Sequence, residues 1–197
     1  MLIQSRRIAG ANTERRALLR SAGTIGLSAA AIAVMGGCES MAASNSAIAE
    51  DVEILNVALG LEHEAINAYQ LGAESGLLEK PVLNTAVLFQ SHHKAHRDAL
   101  VATIKKLGGM PVAEKSMKDY AAALNAGSLK SQGDVLALAA RLEKGAANAY
   151  LGVIPSFSDK GLSQVSARLA ADETMHWTVL ASALGQPLPD KALSFGA

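Results

Sequence analysis

From Glu50 onward, apolar residues recur at alternating steps of three and four, the period of an amphipathic helix. Leu55, Leu59, Ile66 and Tyr69 fall on one stripe, and Glu62 sits in its middle. Ala86, Phe89, Leu100, Ile104 and Leu107 form a second, interrupted at its centre by His93 and His96. Leu136, Ala140, Ala147, Tyr150 and Ile154 form a third around Glu143. Leu162, Val165, Leu169, Leu180 and Leu184 form a fourth that carries Glu173 and His176. Breaks between the stripes are equally clear. Gly76 and Pro81 bracket one turn, Gly108-Gly109-Met110-Pro111 ends the second stripe, Pro155 to Gly161 makes another turn, and Gly185-Gln186-Pro187 closes the fourth. Residues 112–131 make a longer connection, in which Ser116 to Leu124 predicts a short helix. Links that are short, long and short predict an all-α, antiparallel four-helix bundle with a long crossover between its second and third helices.

Each stripe should be buried, yet each holds a carboxylate or imidazole at its centre. A buried charge is costly unless it is paired or binds a metal. The segment Asp172-Glu173-Thr174-Met175-His176-Trp177 shows the conflict most sharply, because Glu173 and His176 are three apart and share a helix face.

An internal repeat places these residues together. Leu61-Glu62-His63-Glu64-Ala65-Ile66-Asn67-Ala68-Tyr69 aligns with Leu142-Glu143-Lys144-Gly145-Ala146-Ala147-Asn148-Ala149-Tyr150, with Leu, Glu, Ala, Asn, Ala and Tyr matching in place. Glu62 precedes His93 by 31 residues and Glu143 precedes Glu173 by 30, so His93-x-x-His96 occupies the place of Glu173-x-x-His176. Two helix pairs related by a pseudo-twofold axis would bring Glu62, His93, His96, Glu143, Glu173 and His176 into one central layer.

Those six residues resemble the ligand set of the ferritin-like superfamily, whose di-iron and di-manganese members take a Glu from each of two helices and Glu-x-x-His from each of the other two. The resemblance covers about residues 50–185 and is nearest to exported bacterial ferritin-like domain proteins. It implies a centre for Fe or Mn, dinuclear in form, with Zn as the alternative, and redox chemistry such as Fe(II) oxidation or peroxide removal. Tyr69, Tyr150 and His92 are then donors to the ligands from just outside the layer, the tyrosines alternatively packing as core side chains and His92 alternatively serving as a ligand itself. The second half matches the pattern in full; in the first, His93 stands where the superfamily has a glutamate. Three outcomes stay open: a dinuclear site with one nitrogen-richer position, a single metal, or a vestigial site. In the last, the protein is a non-catalytic helical module acting in partner binding or envelope protection, with Arg97, Arg141 and Arg168 as partners for the carboxylates. His63 falls beside its stripe and is expected to face solvent.

Composition fits the helical reading: half of the residues are hydrophobic and only 4% aromatic, so the core is built from small and aliphatic side chains. Formal net charge is zero but unevenly spread, with +4 in residues 1–37 and −4 in the remainder. A mildly acidic body gives no support for nucleic-acid binding. The basic end reads as a signal: arginines to Arg20, then a weakly apolar Ala/Gly stretch from Ser21 to Met35, too short and mild for a stable membrane span. Arg15-Arg16 followed by Leu18-Leu19 resembles the twin-arginine export motif, and Arg6-Arg7 is a second, more distant pair. Cys38 is the sole cysteine, which excludes an internal disulfide and a CxxC metal site. Met35-Gly36-Gly37-Cys38 resembles a bacterial lipobox, whose cysteine is lipidated; cleavage near Ala47-Ile48-Ala49 is the alternative. The expected organisation is a signal segment over 1–37, a Ser/Ala-rich tether over 38–49, the helical domain over 50–185 and a tail over 186–197. The implied location is the periplasmic side of the membrane, anchored through Cys38, or soluble in the periplasm in the alternative. The implied partners are metal ions, the twin-arginine machinery and the membrane. A monomer or homodimer fits a tethered chain better than a closed shell.

Overall fold

The computed structural model describes residues 33–196, with side chains from residue 44. Five α-helices follow one another: α1 (Ala33–Glu74), α2 (Lys80–Lys106), α3 (Met117–Ala123), α4 (Gln132–Val153) and α5 (Lys160–Ala183). Single 3-10 turns occupy Ala126–Ser128 and Ile154–Ser156, and the described residues contain no strand. The packing below is that of the compact unit beginning at Ala42. Helix α1 starts upstream of the expected Glu50: residues 38–49 are helical and run into it. Residues 39–49 are alanine-rich and free of Gly and Pro, so nothing local breaks the helix. No helix among the described residues is long and apolar enough to cross a membrane. Arg15, Arg16 and the rest of the signal-type segment lie outside the described residues, as does the side chain of Cys38.

Local chemistry sets the ends of these helices. Ser116, Ser131 and Asp159 cap α3, α4 and α5, each accepting from backbone N–H groups of the first turn. Pro81 in the first turn of α2 costs no hydrogen bond there. Gly108 ends α2 at φ 81°, where Gly109 N–H donates to Ile104 and Gly108 N–H to Lys105, satisfying two orphan carbonyls. A side chain at Gly109 would also meet Val52 of α1 at 2.5 Å, so this turn lies flush against the first helix.

Two apolar clusters draw on all four long helices. One contains Leu55, Leu59, Leu100, Ile104, Tyr150, Leu162 and Leu169. The other contains Tyr69, Phe89, Leu136, Ala140, Trp177 and Leu180. In α1, α2, α4 and α5 alike, the ligand-type residues fall between the two clusters along the chain. Contacts between α1 and α2 pair early with late positions, Val52 with Gly109 and Tyr69 with Phe89. Between α4 and α5, Ser166 donates to the Tyr150 carbonyl and Lys144 lies 5.7 Å from the Trp177 ring.

The connection from α2 to α4 is held along α1. Asn56 donates to Met110 O and accepts from Val112 N–H, and Asn67 donates to Glu114 at 2.6 Å. Tyr120 and Leu124 pack with Ala68, Leu71, Leu138 and Leu142. This connection also corrects the expectation for His63. His63 is buried, 6% exposed, with Nε2 3.3 Å from Val112 O, because residues that follow α2 cover its face of α1.

The tail, which periodicity left unassigned, packs back on the second half. Phe195 meets Trp177 edge-on at 5.1 Å, Lys144 lies 5.9 Å from the Phe195 ring, and Gly196 N–H donates to Asn148 at 2.9 Å. Asn67 and Asn148 occupy matching places in the repeat, and each binds the segment that follows its helix pair. Since Trp177 is the sole tryptophan, its fluorescence reports on this contact. Phe195→Ala should red-shift the emission and cost about 1–2 kcal/mol in urea unfolding; unchanged emission would show that the tail does not cover Trp177.

Candidate metal centre

The matched spacing of the repeat, 31 residues from Glu62 to His93 and 30 from Glu143 to Glu173, puts one polar layer between the apolar clusters. Glu62, His93, His96, Glu143, Glu173 and His176 are all buried, Glu173 and His176 completely. They fall into two four-residue sets able to hold a metal ion: Glu62, His93, His96 and Glu173, and His93, Glu143, Glu173 and His176. Edges within the first set are 2.8 Å (His93 Nδ1 to Glu62 Oε2), 3.6 Å (His96 Nδ1 to Glu62 Oε1) and 3.2 Å (His96 Nδ1 to Glu173 Oε1). In the second they are 3.2 Å (His93 Nε2 to Glu143 Oε1), 3.3 Å (His176 Nδ1 to Glu143 Oε2) and 3.4 Å (His176 Nδ1 to Glu173 Oε2). Four ligands at about 2.0–2.2 Å from a common tetrahedral ion stand about 3.3–3.6 Å apart, so both sets are near that size.

The outer contacts cross between the two halves of the repeat. Tyr69 donates to Glu143 and Tyr150 donates to Glu62. His96 Nε2 lies 3.2 Å from Asp172 Oδ2, and His176 Nε2 lies 2.9 Å from His92 Nδ1. In every case a residue of one half orients a ligand of the other. His92 therefore lies against the outer nitrogen of His176. Asp172 was not singled out by the sequence reading. Its signal was there, because Asp172 precedes Glu173 as His92 precedes His93.

Arginine plays no part in compensating these carboxylates among the described residues. Arg97 pairs with its neighbour Asp98 at 2.8 Å, and Arg141 and Arg168 are exposed. All three lie off the buried stripes, and imidazoles answer the carboxylates instead. Burial opposes charge on His93, but Glu143 and Glu62 outweigh it and hold the ring's pKa at about 11. Burial likewise opposes charge on His96, which Glu173 and Glu62 raise to about 10. Burial pushes Glu62 up, while His93 and His96 pull it down to about 2. Glu143 is also lowered: burial raises it, and His176 and His93 more than offset that.

Glu173 differs. Burial raises its pKa, and the nearby imidazoles of His176 and His96 offset this only in part. Neither of its oxygens has an aligned hydrogen-bond partner, and neither has His96 Nδ1. Unpartnered buried atoms on a carboxylate and an imidazole, at ligand spacing, fit a divalent transition-metal ion. Tyr69 and Tyr150 are raised well above the usual phenol range, by burial first and then by Glu143 and Glu62 respectively, so both keep the proton they donate. Beside the layer, an apolar cavity of about 80 Å³, lined by Ala68, Gly72, Ala86, Ala139 and Leu180, reaches Tyr69 and Glu143.

A buried layer of carboxylates and imidazoles carried by long helices is the feature that sequence comparison can be set beside. The ferritin-like domain matches residues 50–186, and the chain belongs to that family. The fold is similar to that of a conserved hypothetical protein from Mycobacterium tuberculosis, at 20% identity and a TM-score of 0.58, covering 74% of this chain and 97% of that one. No curated protein matches the chain.

Protons held by His93 and His96 compete with a metal for the same nitrogens. Apparent affinity for Zn(II) should therefore rise as pH increases from about 6 to about 8, with proton release on binding. Titration calorimetry in buffers of different ionisation enthalpy measures this; pH-independent binding without proton release would place the metal elsewhere.

Proposed function

We propose that the four long helices form an antiparallel bundle, crossed along α1 by the α2–α4 connection, whose core binds one or two transition-metal ions. The observation that carries this reading is Glu173, fully buried with both oxygens unpartnered, at the junction of two four-residue sets. Each set offers two imidazoles and two carboxylates, a mixture that favours Fe(II) or Zn(II) over Mn(II) by its nitrogen content. Fe is the preferred ion, with Mn and Zn as alternatives.

Bound iron or manganese would supply one-electron redox chemistry, and the activity that fits is oxidation of Fe(II) or removal of peroxide. The chain's own residues prepare the site. Tyr69 and Tyr150 fix the orientation of Glu143 and Glu62. Asp172 and His92 engage the outer nitrogens of His96 and His176, leaving Nδ1 of each directed inward. The flanking apolar clusters exclude water from the layer, and the cavity beside Tyr69 and Glu143 gives a small uncharged molecule an approach.

One observation favours a second reading. His93 already pairs with Glu62 and Glu143, which compensates two carboxylates without a metal. On that reading the protein is a non-catalytic module with a vestigial site, acting in partner binding or envelope protection. Elemental analysis of protein purified without chelator separates the two. We expect Fe, with Zn or Mn as the alternative, approaching one or two ions per chain and lost in Glu173→Ala. Metal-free protein whose thermal stability ignores added Fe(II), Mn(II) and Zn(II) would leave the second reading standing alone.

The setting we propose is the periplasmic side of the membrane, as a monomer or homodimer. Arg15-Arg16 before an apolar stretch supports twin-arginine export, and Cys38 at its end supports a lipid anchor. Cys38→Ala should move the protein from the membrane to the soluble fraction after cell fractionation. Retention of the variant at the membrane would rule out anchoring through Cys38.

A further inference from the structure

Resting on the metal-centre reading, we infer that His93 joins two metal positions, giving Nδ1 to one and Nε2 to the other. The two sets of ligands share only His93 and Glu173. His93 Nδ1 faces the first set, 2.8 Å from Glu62 Oε2 and 3.8 Å from Glu173 Oε1. Nε2, on the other edge of the ring, faces the second set, 3.2 Å from Glu143 Oε1. Glu173 divides in the same way, with Oε1 3.2 Å from His96 Nδ1 and Oε2 3.4 Å from His176 Nδ1. His93 and Glu173, which hold matching places in the two repeats, therefore each present one atom to each position, a two-oxygen bridge on one side and a two-nitrogen bridge on the other.

Charge and reach both follow from this arrangement. Coordination through both nitrogens leaves the ring as an anion, its protons passing to solvent. That anion and the carboxylates of Glu62, Glu143 and Glu173 together balance two divalent ions, so the buried layer is neutral although one glutamate is replaced by histidine. Spacing changes as well. Oxygen-bridged two-metal sites hold their ions about 3.5–4 Å apart. A ring bonded to one ion through each nitrogen at about 2.0–2.1 Å holds them about 5–6 Å apart. The outer contacts make the two positions unequal, since His96 is backed by the carboxylate of Asp172 and His176 by the imidazole of His92.

Anomalous diffraction from crystals of the full chain loaded with Zn(II) tests the inference. We expect two zinc peaks about 5–6 Å apart with the His93 ring between them, and in His93→Glu two peaks drawn in to about 4 Å. Two wild-type peaks already at about 4 Å, or a single peak, would overturn the shared histidine while leaving a metal centre in place. Absence of zinc from the layer would overturn the metal-centre reading and the shared histidine with it. Should His93→Glu fail to fold, the wild-type spacing decides alone.

Discussion

A fully buried carboxylate with histidines close by but no aligned hydrogen-bond donor is the constraint on which this fold turns. Desolvating an ionised carboxyl costs several kcal/mol unless something restores what water supplied. Glu173 is completely buried, its oxygens have no aligned donor, and its pKa is raised by burial. Its neighbours Glu62 and Glu143 meet the same problem differently, each with a tyrosine hydroxyl and a histidine in contact. Two carboxylates therefore accept an aligned tyrosine hydrogen bond, and Glu173 has only the off-axis imidazoles of His96 and His176. That imbalance is what the proposed metal reading rests on.

The preparation depends on the repeat. Tyr69 serves Glu143, Tyr150 serves Glu62, Asp172 serves His96 and His92 serves His176, so every supporting contact crosses from one half to the other. Neither helix pair can orient its ligands alone. The same exchange recurs outside the layer, where Asn67 binds the connection after α2 and Asn148 binds the tail after α5. Small side chains make the close approach possible. Gly72 lies so near Val135 that a side chain there would meet it at 2.9 Å, and Ala147 is fully buried. Three of the seven aromatic residues touch the layer: Phe89 stacks on His176, Tyr69 stacks on His93, and Tyr150 donates to Glu62.

Much of this was legible in the sequence because the signal was periodic. The four long helices, apart from the early start of α1, and the six layer residues follow from a stripe interrupted at its centre and repeated once. What escaped was contact made by irregular chain. His63 appeared solvent-facing because its own helix offers no cover; the cover comes from Val112, 49 residues on. Phe195 belongs to no periodic segment, and its docking on Trp177 depends on a fold already formed. Asp172 was hidden for another reason. Its side chain is half exposed, so a search for buried polar residues passes over it, and only the comparison with His92 reveals its place.

His93 stands where the resemblance implies a glutamate, and it is best understood through the contacts around it. With three carboxylates in place of four, two dications would leave charge unbalanced unless another group supplied it. The supporting contacts are complete on both sides of the layer. Both tyrosines still donate to their carboxylates, both terminal histidines keep an outer partner, and Glu173 is held open between them. Histidine is also one of the few replacements that can face two ligand sets at once, because its donors lie on opposite edges of a rigid ring. The structure places those two nitrogens against two different glutamates. A residue that merely filled space would need only one of those contacts. Contact with both, across a layer whose other members pair as the repeat dictates, is the arrangement that the proposed bridging by His93 requires.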